Sequence, residues 1–424
     1  MRTGTKLRVA LLLALVLTLA VPAVSLANWP QFLGPNRDGI VQDADGLPTS
    51  YSQDNVRLLW QTETGPGFGG AAIHGDSVLI IDRVQQQGDV IRRLRLADGQ
   101  EVWRHSYAAP GRIKYAGSRS TPATDGKLVF TVGPKGHFSA VTFARGEPVW
   151  QKNLLQEWGA QEPNWSVAQS PLLVGNMVVV APWGRQAAMV AYEKASGRVV
   201  WTTPNNSGKS LDYQSVVPMM LGDRLTLVAS GKRGYTIGVD AGTGEQLWSY
   251  GGYTCSIHVP SPTVVPDNRI LLTGGYGAGS AMIQIEQEGN SYAVRELWKN
   301  KNLGTRTAQA LIWDDHIYAN SKNTGGGLRC LSLDGEILWD TRQINRQMFD
   351  LGNILIVGGH IFQINGQGGE LFIAEATPEG YKELGRINVL DGQQVWGPLA
   401  YSDGLLVMRD QKKMVCLDLK PGSR

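Results

Sequence analysis

A glycine followed four residues later by a tryptophan recurs along this chain, and that recurrence limits the fold more than any other feature. It occurs as Gly99 and Trp103 in DGQEVW, Gly146 and Trp150 in RGEPVW, and Gly197 and Trp201 in SGRVVW. It continues as Gly244 and Trp248 in TGEQLW, Gly335 and Trp339 in DGEILW, and Gly392 and Trp396 in DGQQVW. Trp60 in VRLLW and Trp298 in VRELW keep the rhythm without the glycine. These eight anchors, 41 to 57 residues apart, mark a repeat of the size used by propeller blades.

A second column of the repeat sits after each anchor. It is a tight turn leading into a short apolar strand: GDSVLIID, DGKLVFTV, GNMVVVAP, GDRLTLVA, DNRILLTG, DDHIYANS, GGHIFQIN and DGLLVMRD. Gly, Asn and Asp in such turns tolerate the positive φ that closes antiparallel hairpins. A third strand and the tryptophan strand complete each unit. One four-stranded unit has two apolar faces and cannot bury both alone, whereas a ring of units can. The expected fold is therefore all-β, an eight-bladed propeller spanning residues 53–424. A linear solenoid is the rival, and it would require capping units that the sequence does not display.

The ends predict how the ring closes. The final unit stops after KMVCLDL and lacks a tryptophan strand, while the segment around Trp60 is a tryptophan strand without a unit. Pairing the two removes the open edges.

The pattern Ala-x-(Asp/Glu)-x-x-(Ser/Thr)-Gly-x-x-x-Trp resembles the tryptophan-docking repeat of pyrroloquinoline-quinone-like propellers. AYEKASGRVVW from Ala191 to Trp201 matches almost fully, and GVDAGTGEQLW differs mainly in Gly238. The resemblance covers residues 60–419. It implies one of two activities. Quinone-dependent dehydrogenases of this superfamily oxidise alcohols or sugars, commonly with a vicinal disulfide, a Ca²⁺ held by Glu, Asn and Asp, and a catalytic Asp. BamB-type propellers bind proteins in outer-membrane β-barrel assembly. This chain has no adjacent cysteines and no evident acidic constellation for the first activity. Pyrroloquinoline quinone with Ca²⁺ thus stays the alternative, and a non-enzymatic binding or scaffold role is the main expectation. NWPQFLGPNRDG, Asn28 to Gly39, resembles the leader of secreted members, so residues 28–52 are expected to pack irregularly on the propeller.

Residues 1–27 have the form of a secretory signal peptide: Arg2, Lys6 and Arg8, an apolar run from Val9 to Val21, then Ser25-Leu26-Ala27. Export to the periplasm or beyond is the expectation, and an uncleaved anchor is the competing reading. No Cys follows the apolar run to carry a lipid. The chain has 40 Lys and Arg against 37 Asp and Glu, and the excess of three is those same N-terminal residues. An electrically balanced remainder has no footprint for nucleic acid. Cys255, Cys330 and Cys416 are too few and too dispersed for a disulfide framework, so buried free thiols are expected.

Long polar and aromatic loops lie on one face of the expected ring: Arg104 to Ser120, Glu157 to Gln169, and Gly208 to Ser215. Function on a rigid scaffold usually resides in such loops. Aligning the repeats places Arg119, Gln169, Gln214, His258, Arg306 and Asn353 at the innermost strands, where they could grip a ligand or a partner. Hydrogen bonding to one another and to channel water is the competing reading. Trp165 and Trp183 fall outside the docking set and offer either stacking surfaces or loop packing. No residue is expected to be catalytic or to bind metal, since His258 has no companion ligand at metal spacing. The Gly-rich TGGYGAGSA joins two strands, which argues against a nucleotide loop. The protein is expected to act as a monomer on a protein or envelope component. Carbohydrate binding and an unforeseen hydrolase are the remaining readings.

Overall fold

The computed structural model describes residues 28–289, 291–321 and 327–420. The expected signal peptide lies outside them. The described residues form eight sheets, each built on four antiparallel strands that run in sequence order apart from the closing one; two of the sheets gain a short fifth strand. Counting from the N-terminus, blade 1 spans residues 72–111, blade 2 123–153, blade 3 172–203 and blade 4 217–250. Blade 5 spans 263–300, blade 6 311–340 and blade 7 354–388. Blade 8 combines Ala400–Ser402, Leu405–Arg409 and Lys413–Asp418 with the early strand Arg57–Glu63. In that closing pair Trp60 faces Cys416, as the truncated last unit predicts. No helix among the described residues is long and apolar enough to cross a membrane. The three thiols are free and buried.

The motif glycine at 99, 146, 197 and 244 does more than turn the chain. It is the seat for the indole of the preceding blade. A Cβ on Gly99 would lie 2.6 Å from the Trp60 ring, on Gly146 2.5 Å from Trp103, on Gly197 2.8 Å from Trp150, and on Gly244 2.6 Å from Trp201. The backbone at Gly99 has φ 71°, which an L side chain adopts only at a cost. Each docked indole N–H then donates to a carbonyl of the next blade. Trp60 reaches Leu96 at 2.7 Å, Trp103 Phe143 at 2.9 Å, Trp150 Lys194 at 2.8 Å and Trp201 Ala241 at 3.1 Å. Trp298 and Trp339 do the same to Leu333 and Thr377, both at 2.8 Å. An indole thus buries a large ring and satisfies its single donor in one placement.

Two joints depart from this scheme. Blade 5 carries a long hairpin, Gly279–Glu288 with Ser291–Asn300, in place of the glycine seat. Trp248 of blade 4 folds back onto its own blade, where Gly238 makes the room: a Cβ there would sit 2.1 Å from the indole. The single departure of GVDAGTGEQLW from the pattern therefore has a packing reason. The second departure corrects the repeat count. The outer strand of blade 7 is Glu383–Asn388 and contains no tryptophan. Trp396 follows it in an irregular stretch, so seven of the eight anchors occupy outer strands and the eighth belongs elsewhere.

The joint between blades 8 and 1 is also held by charge. Asp82 is buried between Arg409 at 2.9 Å and Arg92 at 2.7 Å, and Arg83 pairs with Asp89 at 2.9 Å, both side chains fully buried.

Residues 28–41 lie inside the ring, against its innermost strands. Asn28–Trp29 adds to Ala72–His74 of blade 1, and Ile40–Val41 runs parallel to Ile354–Val357 of blade 7. Between these ends the Arg37 guanidinium reaches the carbonyls of Ser170 and Pro171 in blade 3 and of Val216 in blade 4. The Gln31 side-chain oxygen accepts from the Leu173 amide at 3.2 Å. The leader thereby plugs the channel that an empty ring would leave open.

Candidate functional site

Above the plug, the three long loops converge. Tyr115 and Arg119 come from the first, Trp165 and Ala168 from the second, and Tyr213 and Ser215 from the third, all lining one cavity of about 180 Å³. Arg306, Asn353 and Trp396 complete its far side, and Phe32 of the leader joins the lining. Part of the first loop is strand, because Glu101–Gly111 pairs far along Gln86–Arg95. The second contains a one-turn helix, Leu154–Trp158, capped by the Asn153 side chain.

The walls are aromatic. Trp165 stacks on Tyr213 with centroids 5.3 Å apart and meets Tyr115 edge-on at 6.2 Å. Trp396 stacks on Phe68 at 5.4 Å and turns an edge to Tyr115 at 6.5 Å. Tyr276, from the turn of TGGYGAGSA, lies 6.3 Å from Trp165. Two guanidinium groups sit among these rings. Arg119 donates to the carbonyls of Gly117, Lys114 and Tyr115 and lies 5.6 Å from the Phe68 centroid. Burial brings its pKa down to about 10. Arg306 donates from Nε and Nη2 to the Tyr276 hydroxyl and lies 4.6 Å above that ring.

Four of the candidate residues therefore meet at this mouth: Arg119, Trp165, Arg306 and Asn353. Asn353 is partly committed, its Nδ2 donating to the Trp396 carbonyl at 2.5 Å. The other three are buried away from it. Gln169 is spent on its own blade, accepting from the Ala181 amide at 2.7 Å and donating to the Ala181 carbonyl at 3.0 Å. His258 does likewise through Nε2 to the Thr273 carbonyl at 3.2 Å, and burial lowers its pKa to about 4. Gln214 is buried with neither amide atom hydrogen-bonded among the described residues. Trp183 is core, under Tyr235.

Sequence reasoning missed Phe68, Tyr115, Tyr213, Tyr276 and Trp396 as wall residues, and Phe32 beneath them. It also missed the inner latch that holds the mouth. The Gly70 amide donates to Thr121 Oγ1, Thr121 to Ser170 Oγ, Ser170 to Ser215 Oγ and Ser215 to Ser261 Oγ, at 2.8 to 3.1 Å. Each hydroxyl receives an amide from the neighbouring blade. The signal was present: STP, QSP, QSV and PSP put a hydroxyl at the same place in four consecutive repeats.

A ring of eight blades joined by docked indoles, with an aromatic mouth at one end of its channel, defines a pyrroloquinoline-quinone-like propeller. The chain belongs to the family described as outer membrane protein assembly factor BamB, whose model matches residues 86–341. A curated member from Vibrio cholerae serotype O1 is 29% identical over 161 residues, 37% of this chain. The match spans only 38% of that relative's length. Among solved structures, BamB from Moraxella catarrhalis superposes with TM-score 0.61 at 15% identity, covering 87% of this chain and 99% of that one. Quinohemoprotein alcohol dehydrogenase from Comamonas testosteroni superposes with TM-score 0.62 at 10% identity, covering 94% and 81%. At such identities the likeness is one of fold, shared by an assembly factor and an alcohol dehydrogenase.

Proposed function

We propose that this protein is exported and binds a protein or envelope component through its long-loop face, without chemistry of its own, in a role like that of BamB in outer-membrane protein assembly. The observation that carries this reading is the convergence of three long loops from consecutive blades on one aromatic mouth whose lining contains no carboxylate, histidine or thiol. Such a mouth offers area and shape for recognition, and its Ser, Thr and Tyr hydroxyls have no carboxylate or imidazole in the lining to activate them.

The quinone-dependent reading draws support from Trp165 and the two arginines, which would suit a flat anion. The donor set does not fit the remainder of that chemistry. A Ca²⁺ site needs several oxygen ligands, commonly carboxylates. Among the described residues the lining offers no carboxylate and one side-chain amide, that of Asn353, and no group of three or more His, Cys, Asp and Glu could hold a metal ion.

A photo-crosslinking residue placed at Tyr115 on the long-loop face, or at Lys127 in a hairpin turn of the opposite face, tests the proposal in living cells. Adducts with an envelope protein are expected from position 115 and not from 127. Equal labelling from both, or none from 115, overturns the reading. So does dye reduction by the purified protein given pyrroloquinoline quinone, Ca²⁺ and a panel of alcohols and sugars.

A further inference from the structure

We propose that the channel mouth is a binding site for a single aromatic ring that carries a carboxylate. This deepens the proposed function and rests on the long-loop face being the recognition surface.

Size sets the first condition. The cavity holds about 180 Å³, close to the roughly 150 Å³ of an engineered apolar cavity that takes up benzene. One ring fills that volume, and a larger group would project from the open side of the mouth. The collar formed by Phe68, Trp396, Tyr115, Trp165, Tyr213 and Tyr276 presents ring faces and edges to such a guest, the geometry in which aromatic pairs attract.

Charge sets the second. An aromatic cage by itself would suit a cation. Here two guanidinium groups already stand in the wall, and a third lies below the floor, where Arg37 sits 5.9 Å from the centroid of Phe32. Arg37 is buried, is held only by carbonyl groups, and has an Nε without a partner. Among the described residues none of the three forms an ion pair with a carboxylate, and the cavity lining contains no Asp or Glu. Arg306 uses Nε and Nη2 on Tyr276 and leaves Nη1 to spare. Carboxylates stand only farther out, Glu162 and Asp89 beyond Arg119 and Asp350 behind Trp396, whose Nε1 donates to it at 3.3 Å; three guanidinium groups nearer the pocket favour an anion over a cation. A carboxylate at the rim would accept charge-assisted hydrogen bonds from Arg306 while its ring rests between Trp165 and Trp396.

The same chemistry exists as a free aromatic acid and as an aromatic side chain flanked by acidic residues in a protein segment. Calorimetric titration of the mature protein separates them. The probes are phenylacetate, neutral phenylacetamide, cationic benzyltrimethylammonium, and a capped peptide with a tyrosine between two aspartates. Phenylacetate is expected to bind, with the amide and the ammonium weaker by about tenfold or more, the worth of one hydrogen bond to a charged group. Arg306→Gln is expected to erase that preference. Arg306 is partly exposed, and unchanged near-UV circular dichroism would verify that the variant folds. Peptide binding alongside phenylacetate assigns the site to a protein segment; phenylacetate alone assigns it to a small acid. Equal binding of acid, amide and ammonium overturns the inference, as does an Arg306→Gln variant that keeps the preference, or no binding by any probe. If crosslinking at position 115 persists while no acid binds, this inference fails and the recognition face stands. If acid binds and crosslinking is absent, the reverse holds.

Discussion

Trp60 and Cys416 face each other across one strand pair, although they stand near opposite ends of the chain. The indole of Trp60 then crosses to blade 1, lies on Gly99 and donates to the Leu96 carbonyl. One residue therefore closes the ring twice, once by backbone pairing into blade 8 and once by docking on blade 1.

Trp60→Ala should cost about 3 to 5 kcal/mol, the usual loss for a large buried ring. Trp396→Ala should cost much less, because its side chain is only half-buried and sits at the mouth. Denaturant midpoints with slopes compared between the two variants check this. Equal losses would mean that Trp396 is docked after all.

Gly99→Ala should destabilise by about 1 to 3 kcal/mol, because the added methyl meets Trp60 and the backbone is left-handed. Gly75→Ala serves as the reference. Its φ is 57° and nothing lies within 4 Å of its Cβ, so it pays only the backbone part. The difference between the two isolates the seat.

Arg37→Met should destabilise by about 1 to 3 kcal/mol by leaving the carbonyls of Ser170, Pro171 and Val216 without a donor. Arg37→Lys should recover little, since one ammonium cannot reach across two blades as a planar fork does. Thermal unfolding of both variants tests the point.

Burial raises the Asp212 carboxyl to about 7. Folding therefore favours its protonated form, and stability drops as pH climbs from the unfolded value near 4 to about 7. His258 works in the opposite direction: its pKa is lowered to about 4, so stability drops as pH falls from about 6.5 to about 4. Asp212→Asn keeps an acceptor for the His258 amide, which the carboxylate receives at 3.0 Å, and removes the first effect. The variant should exceed the parent in stability at pH 7 by about 1 kcal/mol or more, with the gap closing toward pH 4. A gap independent of pH would sink this assignment.

The blades were legible because a repeated joint writes itself repeatedly into the chain. Glycine at 99, 146, 197 and 244 and the indole four residues on recur at nearly constant distance, and the unpaired ends around Trp60 and Cys416 complement each other. Trp396 misled for the same reason: DGQQVW copies the motif, but blade 7 had already found its outer strand in Glu383–Asn388. The mouth was half legible. Aligning repeats pointed to Arg119, Arg306 and Asn353, and Trp165 stood out by falling outside the docking set, whereas Tyr115 and Tyr276 lie on loops of unequal length where no alignment holds. Gln169 and His258 fill the same column but turn into their blades, a choice set by the local carbonyls of Ala181 and Thr273. The leader could not be placed from its own residues, since its partners include residues in blades 1, 3, 4 and 7 or at their edges.

The plug also fixes an order of events. Residues 28–63 emerge from the ribosome before any blade is complete, yet they join blades 1, 7 and 8, the last of which is synthesised after the other seven. Until then the first and last sheets expose unpaired edges, a state prone to aggregation, and contacts so distant in sequence form slowly. A nascent chain of this kind depends on being kept unfolded, or shielded, until its final strand is available.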